Sequence, residues 1–289
     1  MSRAELARNA SFEQLSPEVG TLDEEALAEL LDEDADEALA MLASMTGAMD
    51  RELRAAARRL AGRLMLEVAR RGPVRSRRVG RIVTTRWRPD AGDLDVDASL
   101  DAIVAAKARR DAVEADDLRV RDWSRPDTAL CLLLDRSGSM GGRPLATNAV
   151  AAAAVAWRNP DDYSVVSFAR QAIVVKPQAT PAGSVETVVD SVLALRGHGT
   201  TDLANALGAA GRQLRRSRAG RKVTVLLSDC RSNEPGDTHA AAAALDELVV
   251  VAPAADADEA TAFASAVGAR LSTIDGPSDV PAALAALLM

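Results

Sequence analysis

The stretch "ALCLLLDRSGSMGGRPLATNAVAAAAVAW", residues 129–157, decides how the rest of the chain is read. A wholly apolar run, Ala129–Leu134, gives way to Asp135, Ser137 and Ser139 at alternate positions. An alanine-rich run with helical character follows from about residue 145. A short run without polar residues fits a strand buried on both faces, as parallel sheets require. Just past a strand the chain stays partly extended, so side chains at i, i+2 and i+4 point to one side. Gly138 permits a tight turn between the two serines. Three oxygen-bearing side chains are thereby aimed together at the carboxyl end of a strand, where open α/β sheets bind ligands.

Outward from this stretch, strand, turn and helix patterns repeat. Strands are predicted at 129–134, 163–168, 171–176, 222–228, 247–252 and 270–274. Helices are predicted near 145–157, 184–194, 203–217, 238–245, 257–267 and 279–288. This alternation predicts an α/β fold with a doubly wound, mostly parallel sheet. The two-residue gap between 163–168 and 171–176 predicts an antiparallel hairpin at one edge. Residues 1–125 show helical spacing and almost no strand signal. "DEEALAELLDEDADEALAMLASM" (23–45) and "GAMDRELRAAARRLAGRLMLEVARR" (47–71) carry apolar residues every three or four positions, and Gly72-Pro73 ends the second helix. A basic, β-tolerant segment follows, and "GDLDVDASLDAIVAAKARR" (92–110) reads as a turn and a helix. The expected division is a helical N-terminal region, 1–125, and an α/β domain, 126–289, with "SRPD" (124–127) at the boundary.

Composition narrows the function classes. The net charge of −7 and an aromatic content of 2% argue against a nucleic-acid binder, which needs basic surface and stacking platforms. Cys131 and Cys230 form neither a CxxC nor a disulfide framework, and the start lacks a signal-peptide profile. No apolar run approaches the ~20 residues of a membrane span. These features predict a cytoplasmic protein with no membrane partner. No G-x-x-x-x-G-K-[ST] and no G-x-G-x-x-G after a strand occurs, so neither ATP hydrolysis nor dinucleotide binding is expected.

The other strand ends supply further donors. "RGHGTTDL" before the 203–217 helix gives Thr200, Thr201 and Asp202, and "SDC" after 222–228 gives Asp229. If the strands 129–134 and 222–228 are neighbours, the three loops meet. Two carboxylates and three hydroxyls are hard oxygen donors, suited to Mg²⁺, Mn²⁺ or Ca²⁺ rather than zinc. Neutral hydroxyls leave such an ion electrophilic enough to accept one more carboxylate from another protein.

"DRSGSM" with Thr201 and Asp229 resembles the D-x-S-x-S, threonine and aspartate pattern of the metal-ion-dependent adhesion site (MIDAS) of von Willebrand factor A (VWA) domains, over roughly residues 127–289. The resemblance implies metal ligation by Asp135, Ser137, Ser139, Thr201 and Asp229, with Thr200 the alternative to Thr201, and an acidic residue of a protein partner completing the shell. A helical segment, then "GDLDVDASLDAI", then the A domain also resembles CoxE-like and magnesium-chelatase-D-like bacterial proteins that work beside MoxR-type AAA+ ATPases. That implies a non-enzymatic, chaperone-like adaptor in metal insertion or enzyme maturation.

Competing readings follow from the same residues. Ser139 with Asp229 and His239 has the chain order of an α/β-hydrolase triad, but Ser137 stands where the nucleophile elbow needs its first glycine. An A domain without metal, binding partners through surface charge, is a third possibility. His198 beside the threonine loop reads as a solvated loop residue or an outer-shell group. Asp93, Asp95 and Asp97 imitate half an EF-hand loop, but Ala98 and Val104 occupy the places of its glycine and glutamate. Residues 51–88 hold thirteen arginines against Glu52 and Glu67, read either as solvated helix faces paired with the acidic block or as a docking surface for an acidic partner.

Overall fold

A computed structural model describes residues 1–71, 81–87, 93–109, 111–124, 128–137, 142–180, 184–197 and 199–289. The chain forms two compact units, one of Met1–Pro73 with Thr128–Met289 and one of Val74–Asp127.

Five helices open the chain: α1 (Arg3–Leu6), α2 (Ser11–Leu15), α3 (Glu24–Glu33), α4 (Ala35–Met45) and α5 (Arg51–Arg70). The acidic stretch predicted as helical divides in two at Asp34. That residue leaves the helix (φ −145°, ψ 91°) and its carboxylate accepts the Glu37 N–H as an N-cap. Asp23 and Asp50 cap α3 and α5 in the same way. Of the arginine-rich stretch, Arg59 reaches Glu24 on α3 at 3.9 Å, and Arg70 lies 4.4 Å over the Trp157 ring.

The second unit holds β1 (Arg81–Arg86), β2 (Asp93–Leu94), α6 (Val96–Arg109) and β3 (Arg119–Ser124), with the strands antiparallel in the order β1-β3-β2. This sheet departs from the nearly strand-free reading of the first 125 residues. Arg119, Arg121 and Asp122 fill β3 with charge and hide its periodicity. Asp95 is buried and binds three parts of the unit, accepting from the Ala98 N–H, the Thr84 hydroxyl and the Arg121 guanidinium. It is a structural cap, and the resemblance to an EF-hand ends there.

The rest of the first unit runs β4 (Thr128–Asp135), α7 (Gly142–Arg158), β5 (Tyr163–Phe168), β6 (Ala172–Lys176), α8 (Val185–Leu193), α9 (Leu203–Leu214), β7 (Arg221–Leu227), α10 (Thr238–Ala243), β8 (Leu248–Pro253), α11 (Asp258–Val267), β9 (Arg270–Ile274) and α12 (Val280–Leu288). The sheet order is β6-β5-β4-β7-β8-β9, parallel throughout except for the β5–β6 hairpin at the edge. The fold is thus the expected α/β class, with a mostly parallel sheet covered on both faces.

Strand alternation sorts the core. Leu130, Leu132 and Leu134 enter one cluster with α7, α8 and α12, while Ala129, Cys131 and Leu133 enter the other with α9, α10 and α11. Every residue of α7 from Ala149 to Ala156 is buried. The helix is covered by the sheet on one side and by α4 and α5 on the other, and its alanines let those neighbours approach closely. The N-terminal helices therefore share one core with the sheet. Among the described residues no helix is long and apolar enough to cross a membrane.

Candidate functional site

β4 and β7 are parallel neighbours, with Leu134 opposite Leu227. Their carboxyl ends finish side by side, so the residues after them meet. Asp135 Oδ2 accepts the Ser228 hydroxyl at 2.6 Å, and Oδ1 accepts the Ser137 backbone N–H at 2.8 Å. The second bond closes an Asx-type turn that starts the loop. Asn148, buried on α7, donates to the Asp135 carbonyl at 3.0 Å. Burial pushes the Asp135 carboxyl above the usual carboxylate range, and the negative charge of Asp229 pushes it further. The bonds from Ser228 and Ser137 act the other way. Burial, with the charges of Asp229 and Asp135, pushes the Cys230 thiol up to about 12.

The chain turns sharply after Asp229. Cys230 is left-handed at φ 63°, a conformation that costs a residue with a Cβ ~1–2 kcal/mol. Its N–H donates to the Ser228 hydroxyl at 2.9 Å. One serine thus fixes both Asp135 and the turn beside Asp229.

The threonine loop is tied to the same region through its backbone. The Thr201 carbonyl accepts the Asn233 N–H at 3.0 Å, the Glu234 N–H at 3.3 Å and the Ser232 hydroxyl at 3.2 Å. Asp202 donates its N–H to Ala169 at 2.9 Å, and Arg136 donates its own to Phe168 at 2.8 Å, so both loops are anchored at the end of β5. Thr200 and Thr201 differ. Thr200 is exposed and its hydroxyl donates to the Glu234 carboxylate, whereas Thr201 is buried at 2% exposure. Asp202 caps α9 by accepting the Asn205 N–H at 2.9 Å.

Of the residues singled out in the sequence, Asp135, Ser137 and Asp229 come together, and the loop of Thr201 is stitched to the segment following Asp229. Ser139 and His198 lie outside the described residues. His239, on α10, sets its ring against Phe263 of α11 at 6.0 Å. Sequence reasoning missed Ser228, Asn148, Ser232 and Glu234, which hold the loops in place. Ser228 had a signal, a hydroxyl at the strand end immediately before the aspartate; the other three are brought in only by tertiary contact.

The donor chemistry fits a hard cation. Two carboxylates are set close enough for one to raise the pKa of the other, beside serine hydroxyls, and a bound cation reverses that repulsion. Among the described residues no three of His, Cys, Asp and Glu cluster as a metal site, so hydroxyl, carbonyl or water oxygens would have to complete the shell.

Residues 130–233 match the family model of the von Willebrand factor type A domain. Comparison with curated proteins returns no match. Among solved structures, a von Willebrand factor type A protein from Catenulispora acidiphila is 20% identical, covering 56% of this chain and 42% of its own, with a TM-score of 0.43. BatB from Bacteroides thetaiotaomicron is 14% identical, covering 56% of this chain and 97% of its own, with a TM-score of 0.42. Proximal thread matrix protein 1 from the mussel byssus, with a zinc-occupied MIDAS motif, is 13% identical, covering 56% of this chain and 47% of its own, with a TM-score of 0.42. This chain thus spans less than half the length of the first and third of these. Over residues 130–233 the chain matches the von Willebrand factor type A domain, and its α/β part has a VWA-like fold.

Proposed function

We propose that the chain is a divalent-metal-dependent protein-binding adaptor. Asp135, Ser137, Ser139, Thr201 and Asp229 would hold one hard cation, Mg²⁺ first and Mn²⁺ or Ca²⁺ as substitutes. The ion supplies an electrophilic position for a carboxylate of the partner. The chain's own residues hold that position still: Ser228 orients Asp135, the Cys230 turn carries Asp229, and the bonds from Asn233 and Glu234 fix the Thr201 loop. The reading keeps residues 126–289 as the VWA domain and takes 1–125 as its N-terminal elaboration. The partner in this reading is a MoxR-type AAA+ ATPase acting in metal insertion or enzyme maturation, so the adaptor itself carries no catalysis and works in the cytoplasm.

The observation that supports the reading best is the approach of Asp229 to the half-buried Asp135 at the ends of two parallel strands. Like charges gathered there raise the free energy of the metal-free protein, and a divalent ion relieves it. Calorimetry with Mn²⁺ tests the site. The parent should bind one ion, and Asp135→Ala should bind none while keeping its circular dichroism. Equal binding by the variant rejects the metal assignment. A pull-down from native extract with Mg²⁺ or with EDTA tests the partner. Retention of an AAA+ ATPase in Mg²⁺ alone supports the adaptor role, and equal retention in EDTA favours a scaffold that binds through surface charge.

A further inference from the structure

We propose that the outward face of α6 is a self-association surface, pairing antiparallel with the α6 of a second copy of this chain. The helix is built the wrong way round for one that only packs inward. Its buried residues are the small Ser99 and Ala106. Its exposed face carries Val96, Leu100 and Val104 at 56%, 50% and 57% exposure, spaced i, i+4, i+8 on one stripe. Leu94, at the end of β2 and 45% exposed, lies just ahead of that stripe in the chain. A surface helix ordinarily turns its larger apolar side chains to the core and its polar ones to water. Here Ile103 is half-buried but Val96, Leu100 and Val104 face water, and an exposed apolar stripe of this kind marks an interaction site.

The charges around the stripe identify the occupant. Asp93, Asp97 and Asp101 lie at the amino end, and Lys107 and Arg109 at the carboxyl end. A basic partner would suit only the first end and an acidic partner only the second. A second copy running antiparallel suits both, because a two-fold axis sets each acidic end beside a basic end. With Leu100 on the axis, Val96 faces the partner's Val104, and Lys107 extends toward the partner's acidic amino end, where the partner's Asp93 sits in β2 just ahead of the helix. A parallel pair would set like charges against each other. Among the described residues Asp97 and Arg109 make exposed ion pairs, to Arg121 at 3.6 Å and to Asp111 at 3.9 Å. Such pairs contribute little and exchange readily. A 14-residue helix is about 21 Å long, so the interface belongs to the small class, under about 1,200 Å², that associates reversibly.

Sedimentation of the full chain over a concentration series, in EDTA so that the metal site plays no part, tests the proposal. A reversible monomer–dimer equilibrium is expected. Leu100→Glu should raise its dissociation constant at least about tenfold. Lys107→Glu should weaken the dimer, and adding Asp93→Lys to it should restore the dimer, which separates lost pairing from lost folding. Leu100→Cys should cross-link to itself on mild oxidation, and Val96→Cys should cross-link to Val104→Cys in a mixture. The native Cys131 and Cys230 are buried and do not compete. A chain that stays monomeric at every concentration, or a dimer indifferent to Leu100→Glu, overturns the proposal.

Discussion

The Ser228 hydroxyl donates to Asp135 Oδ2 across 2.6 Å, joining the ends of two neighbouring parallel strands. The Ser228 hydroxyl oxygen in turn accepts the Cys230 N–H at 2.9 Å, so one side chain sets the carboxylate and the turn that follows Asp229. Ser228→Ala removes both bonds from a buried position. The expected cost is about 1–3 kcal/mol in urea denaturation. Mn²⁺ affinity should fall as well, because Asp135 loses the partner that orients it.

Asp135 itself should be a liability without metal. Its folded carboxyl is raised by burial and by Asp229, so protonation favours the folded state. The contribution is fully present below the unfolded pKa and is lost as pH rises through the folded one. Above that window the burial of this group therefore opposes folding. Asp135→Asn keeps an acceptor for the Ser137 N–H and removes the charge. In EDTA at pH 7 it should be more stable than the parent by on the order of 1 kcal/mol, or about 2–4 °C in Tm. Excess Mn²⁺ should raise the Tm of the parent and leave the variant where it is. A variant less stable than the parent in EDTA would refute the strain argument.

How much of this was legible in the sequence follows from what each signal depends on. The strand Ala129–Leu134 is buried on both faces and therefore wholly apolar, so its local pattern announces it. The runs 222–228 and 247–252 are less pure, with Lys222, Thr224, Ser228 and Glu247 among them, but their β-branched and leucine centres read as strands, and the short gap before residue 171 exposed the edge hairpin. β3 was invisible because Arg119, Arg121 and Asp122 alternate with too few apolar residues to show a period. The break between α3 and α4 needed the cap geometry of Asp34, which composition does not reveal. At the site, Asp135 and Asp229 could be read because one ends a strand and the other stands two residues past the end of its neighbour. The burial of Thr201 and exposure of Thr200 could not, since that choice is made by Glu234 and Asn233 from the segment after β7.

The docking of the N-terminal helices has a single-residue probe. Asp36 Oδ1, in the first turn of α4, accepts the Ser278 N–H at 2.8 Å. A Cβ added at Gly276 would stand 1.8 Å from Asp36 Oδ2. Gly276→Ala should therefore expel Asp36 and lose that bond, at about 1–2 kcal/mol. Asp36→Ala alone loses the same bond, at a cost of about 1 kcal/mol. In the double variant the clash has no partner, so the two costs should not add. A double-mutant cycle by chemical denaturation measures the coupling, and simple additivity would show that Gly276 does not press on α4.

At the opposite end of the sheet Glu247 ties three strands together. It precedes β8 and accepts both Arg221 Nε at 2.8 Å and an Arg221 terminal nitrogen at 2.6 Å, from the start of β7. Arg270, at the start of β9, donates to the same carboxylate. The hydrogen bonds and charge of Arg221, with those of Arg270, hold the Glu247 carboxyl below its ordinary value. A lowered folded pKa means stability that is present above the unfolded pKa and is lost as pH falls through the folded one. Glu247→Gln keeps the shape and removes the charge, leaving two guanidinium groups without their counterion. The expected cost at pH 7 is about 1–2 kcal/mol, reduced by the partial exposure of all three side chains. Thermal melts of parent and variant should therefore differ at neutral pH and converge in acid, as the parent's glutamate becomes protonated. A gap that stayed constant down to low pH would place the loss in packing rather than in charge.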